Sequence, residues 1–344
     1  MAPCIVRATD LPPRRSEGGG FIIADILSAY EYNETDPFLI WHELPKKHMA
    51  RGEFPGAPMH PHRGFSEVPY FKRMGETKYT RKVAGKEVDG RMGDGDVEWG
   101  MAAHGIEHGV VVDSNWSGEM HGFQLWVNLP DKNRMDPPEF QNAASASMPV
   151  FDYPKSNLKC KVLVGELCGN KSPIQPKFTE VNYFDFEMRP GGYSNPAQVS
   201  IPLVHVRRIL YCYSGTLCIC PQESQNVHHQ PPEAGRARAD GAIQPTTASA
   251  HSAPHPSAQG DEATFRKIHT GEVAMLGEHG DELLLSNMSE DCMFLLITGT
   301  PLREPCVQYG PFVMGNKQDV MQAFSDFQTG KLTEKPAKYT RYGY

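Results

Sequence analysis

Short apolar runs rich in Val, Ile, Leu, Phe and Tyr, each cut off by Gly or Pro, recur along nearly the whole chain. FSEVPYF, DGDVEWG, HGVVV, HGFQLWVNL, KCKVLVGEL, VNYFDFEM, GEVAMLG, DELLLS and CMFLLITG are examples. β-Branched and aromatic side chains suit a pleated, half-buried surface, and many short strands separated by turn residues predict an all-β sandwich or barrel. Helical periodicity is confined to the end, where DVMQAFSDFQTG sets Val320, Phe324 and Phe327 on one face and closes with Gly330.

Two stretches break this pattern. Met135 to Pro149 (MDPPEFQNAASASMP) is small, polar and proline-bearing, and so reads as a linker, with a boundary near residue 140. Gln222 to Thr264 has no aromatic and almost no large aliphatic residue, cannot offset the entropy of ordering, and is expected to be a disordered insertion within a strand meander. Its histidines, His228, His229, His251 and His255, read as residues of a tolerated loop rather than as a metal tract.

With 344 residues, 39% of them hydrophobic, the chain can bury a sizeable core and is long enough for two domains. The formal charge of −7 excludes a global cationic surface and argues against direct reading of DNA. The opening residues lack an apolar signal core, and no run of about 18 apolar residues occurs elsewhere, so a soluble intracellular protein is expected. Eight cysteines, Cys4, Cys160, Cys168, Cys212, Cys218, Cys220, Cys292 and Cys306, are scattered without a CxxC and read as reduced thiols, several of them small buried hydrophobes.

The chemistry concentrates in His60-Pro61-His62-Arg63-Gly64-Phe65-Ser66-Glu67. Residues two apart on a strand share a face, so His60 and His62 project together, and neutral imidazoles suit borderline divalent ions. Such a pair alone is a weak signal. It sharpens forty-six residues after His62, where Gly105-Ile106-Glu107-His108 delivers a third histidine from a glycine turn. These elements resemble the two cupin motifs, HxH followed by a glutamate and a later Gly-x-x-His. That general pattern implies His60, His62, Glu67 and His108 as four ligands, leaving positions open for a substrate or dioxygen.

DPFLIWHEL, HPHRGFSEV, HGFQLWVNLP and PLREPCVQYGPFVMGN, with the spacing between them, resemble the pirin family over nearly everything outside the insertion. The resemblance implies two cupin barrels (double-stranded β-helix, jelly-roll-like) with a short C-terminal helix. Residues 1–140 would form the metal-binding domain and residues 141–344 a second cupin without ligands, interrupted at about 222–264. In agreement, no HxH follows residue 140, and His205, His269 and His279 are isolated. The resemblance further implies Fe(2+), other divalent transition metals being alternatives, and a dioxygenase acting on a quercetin-like flavonol. Its alternative is an iron-dependent redox-sensing co-regulator that binds a transcription factor without turnover. Lys46, Lys47, Arg63, Lys72, Arg73 and Lys78 would then be the contact patch. A monomer in the cytoplasm, with the nucleus as a second location, completes the expectation.

One position departs from the family. Pirins carry a glutamate ligand two residues after the third histidine, and here that position is Val110. Glu67 instead stands in the place of the pirin threonine, so the carboxylate is expected to have moved to the first motif, as ligand and as catalytic base. The alternatives are a three-histidine site completed by water, recruitment of the cavity-lining candidates His104 or His42, and a degenerate barrel. Glu67 is five residues after His62, an offset that reaches the opposite face of an unbroken strand, so it meets the metal only if Arg63-Gly64-Phe65 turns or bulges. Glu107 fails the same parity test against His108.

Overall fold

The computed structural model describes residues 5–17, 19–112, 115–153, 156–191, 197–219, 266–287 and 290–344. The expected insertion at 222–264, with its four histidines, lies outside them, as do Cys4 and Cys220; the six described cysteines are free thiols.

The strands build two barrels, each from one large and one small sheet. In the first barrel the large sheet runs, in spatial order, Arg15–Glu17, Phe21–Leu27, Phe38–Met49, Gly118–Asn128, Phe65–Arg73, Val97–Met101, Glu139–Ala143 and Lys338–Tyr342. Its small sheet is Ala57–His62, Ile106–Val112, Thr77–Val83 and Lys86–Met92. The second barrel repeats the plan, with a seven-stranded sheet from Ile5–Asp10 to Val150–Asp152 facing the four strands Ala197–Pro202, Glu282–Asn287, Thr216–Ile219 and Arg266–His269.

The two chain ends tie the barrels together. Ile5–Asp10 pairs with Glu272–Leu276 in the second barrel, whereas Lys338–Tyr342 returns to pair in parallel with Glu139–Ala143 in the first. The stretch expected as a linker therefore contains a full strand, Glu139–Ala143, which is also laddered to Val97–Met101. Its small and polar residues misled the reading because the strand sits between two partners and takes its stability from the ladders rather than from its own side chains.

The large sheets pack against each other, and their facing side chains form one continuous core that includes Trp41, Tyr70, Phe123, Leu125, Tyr183, Ile209, Tyr211, Leu295 and Ile297. The opposite face of the second large sheet fills its own barrel: Leu210 and Cys212 join Phe184, Phe186, Leu217, Leu283 and Phe294. Strands buried on both faces read as nearly unbroken apolar runs, which accounts for ILYCY (residues 209–213) and CMFLLITG. The first barrel is filled differently. Val68 and Tyr70 face the inter-barrel core, while the alternate residues Glu67, Pro69 and Phe71 line an internal cavity of about 840 Å³.

The C-terminal helix, Lys317–Gln328, starts from Asn316, whose side chain accepts the Asp319 backbone N–H. It buries Val320 and Ala323, whereas Phe327, expected on the inner face, is 38% exposed. The helix docks on a single small cluster with Phe312 and Leu332, so a narrower stripe than the sequence suggested meets protein. No helix is long and apolar enough to cross a membrane among the described residues.

Candidate metal centre

Three strands of the small sheet set a row of side chains across the cavity. His60 lies opposite His108 in the ladder between Ala57–His62 and Ile106–Val112, and Arg81 of Thr77–Val83 lies opposite His108 on the other side. Opposed residues share a face, so all three point inward, with His62 two residues along from His60. His60, His62 and His108 bring one ligand atom each to within 4.8 Å of one another, the one such group among the described residues. His60 Nε2 and His108 Nε2 are 3.0 Å apart.

Glu67 reaches the same point from the large sheet. The strand that carries His60 and His62 ends at His62, a new one begins at Phe65, and Gly64 between them takes a φ of +90°. That break resets the facing parity, and Glu67 Oε1 comes 3.1 Å from His108 Nδ1, with Oε2 4.0 Å from His62 Nε2. Gly64 has a second reason to be glycine, because a β-carbon there would lie 1.7 Å from the carbonyl oxygen of Val313. The C-terminal hairpin Val307–Tyr309/Phe312–Met314 thus packs directly on the turn of the first motif.

Electrostatics favour ligand chemistry. Burial, reinforced by the neighbouring imidazoles, pushes His62 and His108 well below the usual histidine range, and burial also lowers His60. All three are neutral at pH 7, the form that offers a lone pair. His60 Nδ1 lies 2.6 Å from the Pro58 carbonyl, which fixes the tautomer with Nε2 free to bind. Burial and the nearby Glu98 push the Glu67 carboxyl up to about 8. Among the described residues the buried His62 Nδ1 and Glu67 Oε1 make no well-aligned hydrogen bond, their nearest polar neighbours being the Pro311 backbone and His108 Nδ1. Three neutral imidazoles, a carboxylate and unspent buried acceptors fit a divalent transition metal.

The remaining candidates separate. His42 lines the cavity, with Asp25 3.0 Å from its Nε2 and Glu17 3.3 Å from its Nδ1, and it is not part of the three-histidine group. His104 is a correction: it is not on the cavity wall, because its turn faces the C-terminal segment, where Nδ1 meets the Leu332 carbonyl at 3.1 Å. Val110 lies on the cavity wall two residues beyond His108, and Glu107 turns away to Lys82 at 3.3 Å. His205 and His269 bond to Thr298 and Thr216, as isolated residues should.

Of the six residues expected as a basic patch, five are paired with acids, and Lys78 is exposed. Arg63 is buried and paired with Asp326 at 2.7 Å, Lys72 pairs with Asp185 at 2.7 Å, and Lys46, Lys47 and Arg73 pair with Glu119, Glu53 and Asp94. Spacing along a strand gives the positive charges but not the acids that neighbouring strands and turns set against them. Local motifs also miss Arg81, Glu98 and Gln124, whose place in the site depends on cross-strand register; Gln124 Nε2 donates to Glu67 Oε2 at 3.1 Å.

Comparisons with known proteins agree with this geometry. The Pirin family model matches residues 21–127, and the Pirin C-terminal cupin domain model matches residues 183–333. The human protein Pirin is 31% identical over 331 residues, spanning 95% of this chain and 93% of its own length. A Pseudomonas aeruginosa protein named only as a candidate quercetin 2,3-dioxygenase is 28% identical, covering 92% of this chain and 94% of its own. Among solved structures, quercetin 2,3-dioxygenase from Acinetobacter baumannii superposes with a TM-score of 0.75 at 24% identity, over 96% of this chain and 99% of that one, a likeness of fold. Two matching domain models in tandem, and a relative above 30% identity across almost the full length, establish that the chain belongs to the pirin family of two-barrel cupins.

Proposed function

We propose that the chain is an Fe(II)-dependent dioxygenase of flavonol-type aromatic compounds, with the first barrel as the working unit and the second as a scaffold without ligands. The observation that carries this reading is the convergence of His60, His62 and His108 from the small sheet and Glu67 from the large sheet on one point of a large, mostly apolar cavity. A cavity near 840 Å³ is within the range of sites for ligands of this size. His60, His62 and His108, with Glu67 as the relocated carboxylate, would hold the ion, which when bound supplies Lewis acidity and a redox couple beside the ligand.

The protein's own residues do the rest. Ile40, Leu44, Phe71, Met92 and Trp126 offer an apolar bed for a planar ring system and keep water from the reacting face. Trp126 is further fixed by stacking on Phe65, with ring centroids 4.1 Å apart. Once deprotonated, Glu67 would accept a ligand hydroxyl proton through Oε1, while Gln124 holds the other oxygen in place.

The test is metal analysis of the purified protein together with aerobic quercetin turnover followed by oxygen uptake. Stoichiometric iron, with quercetin and dioxygen consumed together and both lost in His62→Ala, is the expected result. Bound metal without turnover would overturn the oxygenase reading and leave a metal-dependent binding protein.

A further inference from the structure

Among the described residues Arg81 is the one cation on the cavity wall that is almost fully buried, at 2% exposure. It stands in register with His108, across one ladder from it. Its Nη2 is paired with Glu98, which Asn142 holds through its other oxygen, and its guanidinium packs on the rings of Tyr79 (3.8 Å) and Phe140 (4.1 Å). Among the described residues Nε and Nη1 make no well-aligned hydrogen bond, and the Tyr79 side chain is the polar neighbour closest to sharing the guanidinium with Glu98.

A buried N–H group left without an acceptor carries its full desolvation cost uncompensated. A pair whose sole task was to hold the fold could be replaced by apolar side chains at little or no loss. Arg81 instead keeps a fork of unspent donors at the edge of an apolar chamber, the arrangement that recognises an oxygen anion and rejects an analogue lacking it.

We propose that Arg81 determines specificity in this cavity: its Nε–H and Nη1–H groups receive the acidic oxygen of an aromatic ligand, a phenolate, enolate or carboxylate, whose rings lie against the apolar wall. The inference deepens the flavonol reading and rests on it for the ring system. Glu98 balances the Arg81 charge, so the fork acts through directed N–H donors rather than through a net positive charge.

The test measures binding to the full-length chain, metal-loaded and chelator-stripped, without dioxygen. The probes are 3-hydroxyflavone, flavone (which lacks the hydroxyl) and 2-naphthoate. The stripped arm is decisive, because an ion would itself recognise the hydroxyl. Stripped wild type should bind 3-hydroxyflavone at least about tenfold more tightly than flavone, with the anion's absorption band appearing on binding. In Arg81→Met/Glu98→Gln, which removes both charges together and so avoids stranding a buried carboxylate, the preference should fall below about threefold while flavone affinity holds. Arg81→Lys, which keeps the charge but not the fork, should fall between.

Naphthoate lost in parallel assigns carboxylates to the same fork; naphthoate excluded while 3-hydroxyflavone binds restricts the site to phenolic oxygens. Equal binding of flavone and 3-hydroxyflavone by wild type, or an undiminished preference in the double variant, overturns the proposal. Turnover plays no part in this readout. Discrimination by Arg81 without quercetin turnover would sink the oxygenase reading alone, and turnover without Arg81-dependent discrimination would sink this one alone.

Discussion

Glu67→Gln tests whether the carboxylate has moved between motifs. The substitution keeps the side chain's shape, and a glutamine oxygen can still accept from Gln124 Nε2, so the fold should be undisturbed. Without an ion the carboxyl is held protonated near neutral pH by burial and Glu98, so replacing it with a neutral amide should change stability by less than about 1 kcal/mol. With an ion the change is large, because Glu67 is the anionic member of a set otherwise made of neutral imidazoles. Loss of a mere outer partner of a metal ligand costs about 10–100-fold in affinity. Loss of the ligand itself should reach at least about 100-fold, or about 2.7 kcal/mol. That figure is already net of the roughly 1.4 kcal/mol needed at pH 7 to displace a proton held at about 8. Competitive chelator titration of wild type and Glu67→Gln reads the difference directly. Val110→Glu in the Glu67→Gln background should recover most of it, because residue 110 shares the inward face with His108 and lies on the cavity wall. Equal affinity in wild type and Glu67→Gln would refute the relocation and leave a three-histidine site. Recovered affinity without flavonol turnover would assign a binding role, since catalysis tolerates less displacement than holding an ion does.

His60→Ala or His62→Ala should abolish stoichiometric metal while calorimetry still shows a folded protein, because the main cores do not include these residues; global unfolding would make the site structural. Gly64→Ala should destabilise by more than about 2 kcal/mol in denaturant titration, since its β-carbon meets the Val313 carbonyl and its φ is left-handed, and wild-type stability would contradict that packing. Removing Ser224 to Ala263 should leave the melting temperature within a few degrees, because Ile219 and Arg266 already face each other across a hairpin and loop closure depends weakly on length; a larger drop would show that the segment packs. Burial, opposed in part by Asp185, pushes the Lys161 ammonium down to about 8 from 10.5, so its charge costs the fold below pH 8 and that cost fades as pH rises toward 10.5. The stability of wild type relative to Lys161→Met should therefore climb by about 1 kcal/mol from pH 8 to 10 after screening, and a flat or falling difference would count against the assignment.

What the sequence by itself determined is whatever short range dictates. Alternating and continuous apolar runs bounded by Gly and Pro required strands, and the doubly buried stretch ILYCY (residues 209–213) announced itself by lacking charged positions. His60 and His62 share a face by strand parity alone, and Gly64 was legible as the residue able to break that parity before Glu67. The tertiary structure decided everything that depends on register. Only the ladder puts Arg81 beside His108, turns Glu139–Ala143 from an apparent linker into a paired strand, and aims His104 at Leu332 instead of the cavity. Lys46, Lys47, Arg63, Lys72 and Arg73, five of the six residues that seemed a surface patch, are paired with Glu119, Glu53, Asp326, Asp185 and Asp94, which lie on other strands, on turns and on the C-terminal helix. Side-chain parity propagates along a strand without knowledge of its neighbours, whereas charge pairing and cavity shape are properties of which strands meet, and that is settled by closure of the barrels.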